Sequence, residues 1–427
     1  IGNLFQQLYN TVDSIVVGQF IGSEALAAVG SSTPLINLII GMFMGIAVGS
    51  GVIISQYYGA KREQDVNETV HTAVAISLLS GVFLVALGLL VTRPLLELMG
   101  TPDDVIDKSA IYMKIYFAGM PATMLYNFGA ALLRAVGDTQ RPLFYLFFAG
   151  IVNVVLNLFF VIVMKLDVAG VALAPVISPC ISAALVVRCL MREQGAIHLD
   201  LHSLGFDKIK LRQILQVGLP AGVQGILFSL SNVVIQASIN GFGETVMAGN
   251  SAASNIENFI YVALNAFYQA NVSFTSQNMG AGNYHRIWKI LIRVEGCVLV
   301  LGLALGGLTY LFGPQLLSLY SPSPAVIEAG LVRLKIVAVT YVLCGFMDSC
   351  VGTLRGIGYS VLPMIVTLVG ACALRLVWIS VLFQHPAYHT VEVIYWSYPV
   401  SWIVTASVHF LCIAITMRKL KHHLGIA

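Results

Sequence analysis

The sequence predicts an all-α polytopic membrane protein, with twelve transmembrane helices in two six-helix lobes related by a pseudo-two-fold axis along the membrane normal. Of its 427 residues, 58% are hydrophobic and only 10% are charged, whereas a soluble domain contains about 25% charged residues. The apolar residues form twelve stretches spread along the whole chain, each suited to cross a bilayer as a helix. The two halves of the chain also repeat each other. These observations exclude a water-soluble enzyme.

The twelve apolar stretches are separated by short polar connections. In chain order they cover residues 1–20, 34–58, 69–92, 109–135, 142–164, 168–190, 213–240, 253–276, 287–312, 330–354, 360–383 and 395–417. Because the chain begins at Ile1 inside an apolar stretch, we expect the first span to start upstream of this residue. The net charge of +3 is too small to indicate a nucleic-acid partner.

Lysine and arginine residues fall unevenly on the two alternating sets of loops. One set carries sixteen of them and the other carries six. Cytoplasmic loops contain the excess of these residues in membrane proteins. We therefore predict that the first set and the C-terminus are cytoplasmic.

The two halves match at one constant offset of 221 residues. Matching pairs include Gln56 with Gln277, Lys114 with Lys335, Arg134 with Arg355, and Gly137 with Gly358. Each half holds six spans, so both enter the membrane from the same side, as parallel repeats do. We predict an N-lobe at residues 1–191, a cytoplasmic linker at 192–212 and a C-lobe at 213–427.

Polar residues in the first half predict a coupling site. A charged residue at membrane depth costs about 2.5–3.5 kcal/mol on insertion scales, so it needs a partner, a cavity or a function. Asp13 lies in the first span, and Gln6 and Tyr9 share its helix face. Three amides of the fourth and fifth spans are expected to complete a proton or cation site: Asn127, Asn153 and Asn157. The alternative is that these groups only join neighbouring helices.

The second half carries a second candidate site, for an ion or a substrate. Its polar residues at membrane depth are Glu257, Tyr261, Asn265, Gln269, Asp348 and Arg375. An acid beside aromatic and amide groups suits an organic cation, through ion pairing and cation–π contact. Ordinary packing of the tyrosines is the alternative. We expect Arg375 to pair with Asp348 or with another buried acid.

The sequence contains no catalytic or nucleotide-binding motif of the GxSxG, HExxH or Walker type. Its seven cysteines have no metal-ligand spacing. We therefore expect a protein that is not an enzyme, has no cofactor or resident metal, and uses an ion gradient as its energy source.

Three runs resemble the MATE (multidrug and toxic compound extrusion) family, specifically its DinF-like bacterial branch. They are residues 9–18 (YNTVDSIVVG), 133–139 (LRAVGDT) and 354–358 (LRGIG). The resemblance covers essentially the whole chain. It implies a V-shaped transporter of two six-helix lobes, in the inner membrane of a bacterium, that exports amphipathic, often cationic compounds in exchange for H⁺ or Na⁺. Asp13 matches the acidic residue of the first helix in this branch.

Two departures qualify the resemblance. Asn157 stands where the branch often has Asp, which leaves Asp13 as the principal titrating group of the N-lobe. The NorM-like branch has a glutamate in the seventh helix, where this chain has Phe228, although Asp348 matches an acid of that branch's C-lobe cation site.

The predicted function is secondary active efflux by alternating access. We expect a monomer that exports small amphipathic or cationic molecules in exchange for H⁺ or Na⁺, with membrane lipids as its surroundings. The alternative is a flippase of the same superfamily for lipid-linked oligosaccharides or peptidoglycan precursors. A flippase is expected to have more cationic residues in its cavity, and here Arg375 stands nearly alone.

Overall fold

The computed structural model describes residues 2–21, 23–98, 100–101 and 103–423. Over these ranges the secondary structure is helical, with no β-strand. The predicted all-α membrane fold is therefore confirmed. Contacts divide the chain into two compact units, one up to Gly222 and the other from Val223 onward.

The first unit contains the first six spans and the beginning of the seventh. Helix α1 is Gly2–Phe20, α2 is Ser23–Gly59, α3 is Glu63–Leu98, α4 has the two parts Asp103–Ala118 and Met120–Ala135, α5 is Gln140–Leu158 with a π-helical extension Phe159–Val163, and α6 is Val168–Arg192. The break in α4 falls at Gly119, directly before Met120 and Pro121. Proline lacks the backbone N–H of a continuing helix, so it is placed at the first turn of the second part.

The second unit contains the remaining spans. Helix α7 is Lys208–Asn240, α8 is Glu244–Gly280, α9 is Tyr284–Leu311, α10 runs through Pro324–Arg333, the π-helical Leu334–Ala338 and Val339–Ile357, α11 runs from Val361 to Leu382, and α12 is Val391–His423. A short helix, Gly313–Ser318, lies between α9 and α10. Among the described residues, each of α1–α12 overlaps one of the twelve predicted stretches, although α2 and α8 begin eleven and nine residues earlier than predicted. Eight of the described helices are long and apolar enough to cross a membrane.

The stretch predicted as a linker lies against the N-terminal end of α3. The Asn67 side chain donates hydrogen bonds to the carbonyl oxygens of Ala196 and His198, at 3.3 and 2.8 Å. The backbone N–H of Asp200 donates to Nε2 of His71, at 3.1 Å. The polar connection after α6 is therefore docked on the first unit by directed hydrogen bonds.

Candidate functional site

Asp13 is bound by two amides of α5. Its Oδ1 accepts a hydrogen bond from Nδ2 of Asn157 at 2.7 Å, and its Oδ2 accepts one from Nδ2 of Asn153 at 3.1 Å. The two asparagines lie one helical turn apart, so their side chains leave the same face of α5 and reach both oxygens of one carboxylate. Asn157 is fully buried and Asn153 nearly so. The structure thus brings together three of the predicted site residues.

The two amide oxygens are left without partners. Oδ1 of Asn153 and Oδ1 of Asn157 are buried and accept no hydrogen bond. A buried unpaired acceptor is unusual in a folded protein and marks a place where a proton, an ion or a changed side-chain orientation has a role. Each amide carries a donor and an acceptor at nearly equivalent positions, so the pair can offer Asp13 either kind of group.

Tyr9 fixes the approach of α1 to α5. Its hydroxyl donates to the carbonyl oxygen of Phe147 at 3.1 Å. Its ring occupies the space that a Cβ atom on residue 150 would take, so only glycine fits at Gly150. This close approach places Asp13, one turn further along α1, within reach of the amides on α5.

A cavity of about 330 Å³ opens beside the carboxylate. Its wall includes the predicted residues Gln6, Tyr9, Asp13, Asn127 and Asn153. Its volume lies within the range of small-molecule sites. Asn127 lines the cavity but does not bind Asp13 directly. Its side-chain amide donates instead to the carbonyl oxygen of Thr123, at 2.9 Å.

Three further tyrosines of the wall escaped the sequence prediction: Tyr112, Tyr116 and Tyr126. Tyr112 and Tyr116 lie one turn apart on α4, with ring centroids 6.1 Å apart. That spacing was visible in the sequence, but it gave no sign that α4 faces the same cavity as α1. The wall is therefore an aromatic surface around one carboxylate, and its described lining contains no lysine or arginine.

In the second unit, Glu257 forms an ion pair that the sequence did not predict. Nε and Nη2 of Arg333 donate to its carboxylate at 2.8–3.2 Å, and Nη1 of Arg333 donates to Asn250 at 2.8 Å. Both members of the pair are buried. Arg333 is only the fourth residue of the predicted span 330–354, near its expected end, whereas the helix begins six residues earlier, at Pro324. Glu257 therefore has a dedicated partner.

The expected ion pair between Arg375 and Asp348 is not formed. Arg375 lies on α11 and donates instead to Ser401 of α12 at 2.8 Å and to Asn232 of α7 at 3.4 Å. Asp348 lies on α10, where its charged neighbour is Arg355. In the described chain the Asp348 carboxylate has no hydrogen bond or salt bridge. The two charges stay apart because the Arg375 side chain is directed toward α7 and α12.

The other candidates on α8 are separate from Glu257. Tyr261 is exposed, and Asn265 and Gln269 are half-buried. Within the part of the chain that the structure describes, none of their side chains makes a hydrogen bond. The polar stripe of α8 therefore does not form one hydrogen-bonded site around Glu257 in the described chain.

Comparison with known proteins identifies the family. The MatE family profile matches residues 1–159 and 220–379. The chain belongs to the MATE family of transporters. The probable multidrug resistance protein YoeA of Bacillus subtilis is 30% identical over 379 residues, which cover 86% of this chain and 81% of the relative.

A more distant relative agrees with this assignment, and a solved structure has the same fold. The multidrug export protein MepA of Staphylococcus saprophyticus is 20% identical, over 84% of this chain and 79% of its own length. An outward-facing structure of a multidrug resistance MATE transporter superposes with a TM-score of 0.91 at 24% identity, covering 99% of this MATE protein and 94% of the other chain.

Proposed function

We propose that this MATE protein is a multidrug efflux antiporter that exports amphipathic organic cations in exchange for H⁺, with Na⁺ as the alternative coupling ion. The observation that carries the proposal is the Asp13 carboxylate, bound by two amides at the wall of a cavity of about 330 Å³. Tyrosine rings of the same wall suit an organic cation, because the face of an aromatic ring attracts positive charge.

Exchange follows from competition for one carboxylate. An ionised Asp13 attracts a cation in the cavity, and a protonated Asp13 does not. A proton that arrives from outside therefore displaces the cation, and loss of that proton to the cytoplasm restores the binding site. This cycle requires the protein to open alternately to the two sides of the membrane.

The two amides suit both states of the carboxylate. In the structure, Nδ2 of Asn153 and of Asn157 donates to it, which stabilises the ionised form. A protonated Asp13 needs an acceptor for its O–H group, and a half-turn of either amide supplies the oxygen that is now without a partner. The same residues thus hold the side chain in place through the exchange.

The test is efflux of a fluorescent lipophilic cation from proteoliposomes, with a pH gradient and a sodium gradient imposed in separate experiments. We expect wild type to respond to the pH gradient and Asp13→Asn to lose that response. Asp104→Asn is the matched control, because it removes the same charge from an exposed position at the start of α4. Retained pH-driven efflux in Asp13→Asn would refute the proposed role of Asp13.

The charge of the cavity separates this proposal from the flippase alternative. Lipid-linked precursors carry phosphate groups, which need lysine or arginine in the binding wall. The described wall has one carboxylate and no such cation. Transport of a fluorescent lipid-linked sugar by the same proteoliposomes, with no efflux of the lipophilic cation, would favour the flippase.

A further inference from the structure

Arg375 is a buried cation whose hydrogen bonds are incomplete. Its side chain is 1% exposed. Nε donates to Ser401 at 2.8 Å and Nη1 donates to Asn232 at 3.4 Å, whereas Nη2 is buried without a partner. A guanidinium has five N–H donors, and these two acceptors are neutral and engage only part of the set.

Among the described residues, no carboxylate forms a salt bridge with Arg375. Of the acids predicted at membrane depth in the same unit, Glu257 is bound by Arg333, and Asp348 forms no salt bridge in the described chain. A buried charge without a counter-charge is strongly unfavourable, so proteins seldom retain one. Arg375 therefore has the capacity to bind an anion.

Aromatic rings surround the guanidinium. Its Cζ lies 4.5 Å from the centroid of Tyr398, 5.3 Å from that of Phe228 and 5.7 Å from that of Trp402. These contacts stabilise the cation in the absence of an anion. They also form an apolar aromatic wall, which suits a ligand that has an aromatic body attached to its anionic group.

The local helix geometry singles out the same position. Arg375 lies on the four-residue segment Leu374–Val377, between the π-helical stretches Leu368–Ala373 and Trp378–Leu382. Single π-helical turns within α-helices occur frequently at functional sites, because they re-aim side chains at a cost in regular hydrogen bonding. Two of them flank the four-residue segment that holds Arg375.

The internal repeat is an independent reason to expect a functional group at this level of α11. The offset of 221 residues carries α5 of the first unit onto α11, and it places Asn153 opposite Leu374, next to Arg375. In α5, this level of the helix holds the amides that bind the Asp13 carboxylate. In α11, the corresponding level presents a guanidinium.

We propose that Arg375 is the centre of an anion-binding site in the second unit, which takes the carboxylate, sulfonate or phosphate group of an aromatic amphipathic compound. The Nη1–Nη2 edge of the guanidinium binds two oxygens of such a group in parallel, and the surrounding rings contact the ligand's aromatic body. The site does not depend on the coupling role of Asp13. Substrates of this transporter would then include anionic or zwitterionic compounds besides cations.

The test uses purified full-length protein in detergent and a pair of probes that differ in charge. The probes are 2-naphthalenesulfonate and 2-naphthylmethylammonium, and sodium sulfate tests an inorganic anion with no aromatic body. We expect the sulfonate to raise the thermal unfolding temperature of wild type, because a ligand that binds only the folded state stabilises it. Binding of the sulfonate to Arg375→Gln should be at least about tenfold weaker, since hydrogen bonds to a charged group are lost.

Matched variants separate binding from folding. Arg293→Gln removes one arginine from an exposed position of the same unit and should bind the sulfonate as wild type does. Arg375→Lys retains the positive charge but loses the pair of parallel N–H donors, so it should also bind the sulfonate less tightly. This variant replaces Arg375→Gln in the test if Arg375→Gln does not fold. Trp402→Phe should remove the fluorescence change that the sulfonate causes at the site.

Several results would overturn the proposal. Equal stabilisation of wild type and both Arg375 variants by the sulfonate would place the anion elsewhere. A response to sulfate alone would exclude the aromatic ligand class. If no anion raises the unfolding temperature of wild type, and Arg375→Gln and Asp348→Asn lower it equally, then Asp348 is the counter-charge of Arg375. Asp13→Asn should bind the sulfonate normally, so failure of the efflux mechanism leaves this test intact.

Discussion

Substitution of Gly150 by alanine tests how the candidate coupling site is held together. The added Cβ atom would fall within the Tyr9 ring, so the ring must move. The ring is held by its hydrogen bond to Phe147 and by Phe5, whose centroid lies 6.5 Å from that of Tyr9 and 5.1 Å from that of Phe147. Movement therefore disturbs both the hydrogen bond and the ring packing.

The size of the effect follows from these contacts. One hydrogen bond contributes about 0.5–1.5 kcal/mol, and an aromatic pair contributes about the same beyond its buried area. Loss of both lowers the free energy of unfolding by about 1–3 kcal/mol, which agrees with the usual cost of overpacking a core. For a unit of about 200 residues, that corresponds to roughly 2–4 °C in unfolding temperature for each kcal/mol.

Thermal unfolding in detergent measures this change, and a double-mutant cycle assigns its cause. In a Tyr9→Ala background the added methyl group finds free space, so Gly150→Ala should cost nothing there or stabilise slightly, since alanine favours helix. Gly296→Ala is the matched control, because a Cβ at that helical position meets no atom within 4 Å. Equal destabilisation by Gly150→Ala with and without the tyrosine ring would refute the packing argument.

Two further substitutions test the charged groups of the two units. Glu257→Gln leaves the Arg333 guanidinium buried without its counter-charge and should lower the free energy of unfolding by about 3–5 kcal/mol, measured by thermal unfolding; an unchanged unfolding temperature would contradict the ion pair. Asn157→Leu removes the closer donor from Asp13 and should slow pH-driven efflux about tenfold, and efflux equal to that of wild type would show that this hydrogen bond has no part in transport.

The sequence predicted the helices more completely than it predicted which helices contact each other. A span of apolar residues has a length fixed by the bilayer, so the twelve helices followed from hydropathy alone. Asn153 and Asn157 share a face because of their spacing within one helix. Helical spacing does not specify which helix stands opposite, so the tyrosines of α4 were missed, and Arg375 was expected to pair with a buried acid although its described partners are the neutral Ser401 and Asn232. The pairing of Glu257 with Arg333 was missed for the same reason, because the two residues lie on different helices.

The two units differ in the sign of the charge at their candidate sites. In the first unit, a carboxylate is bound by neutral amides and faces a cavity without lysine or arginine. In the second, the acid Glu257 already has its cation, whereas among the described residues Arg375 has no carboxylate partner and its Nη2 has no hydrogen-bond partner. Each unit is compact by itself. The proposed roles of Asp13 and Arg375 assign a cation-binding group to one unit and an anion-binding group to the other, each with hydrogen-bond partners within its own unit, and two such groups would let one transporter recognise amphipathic compounds of either charge.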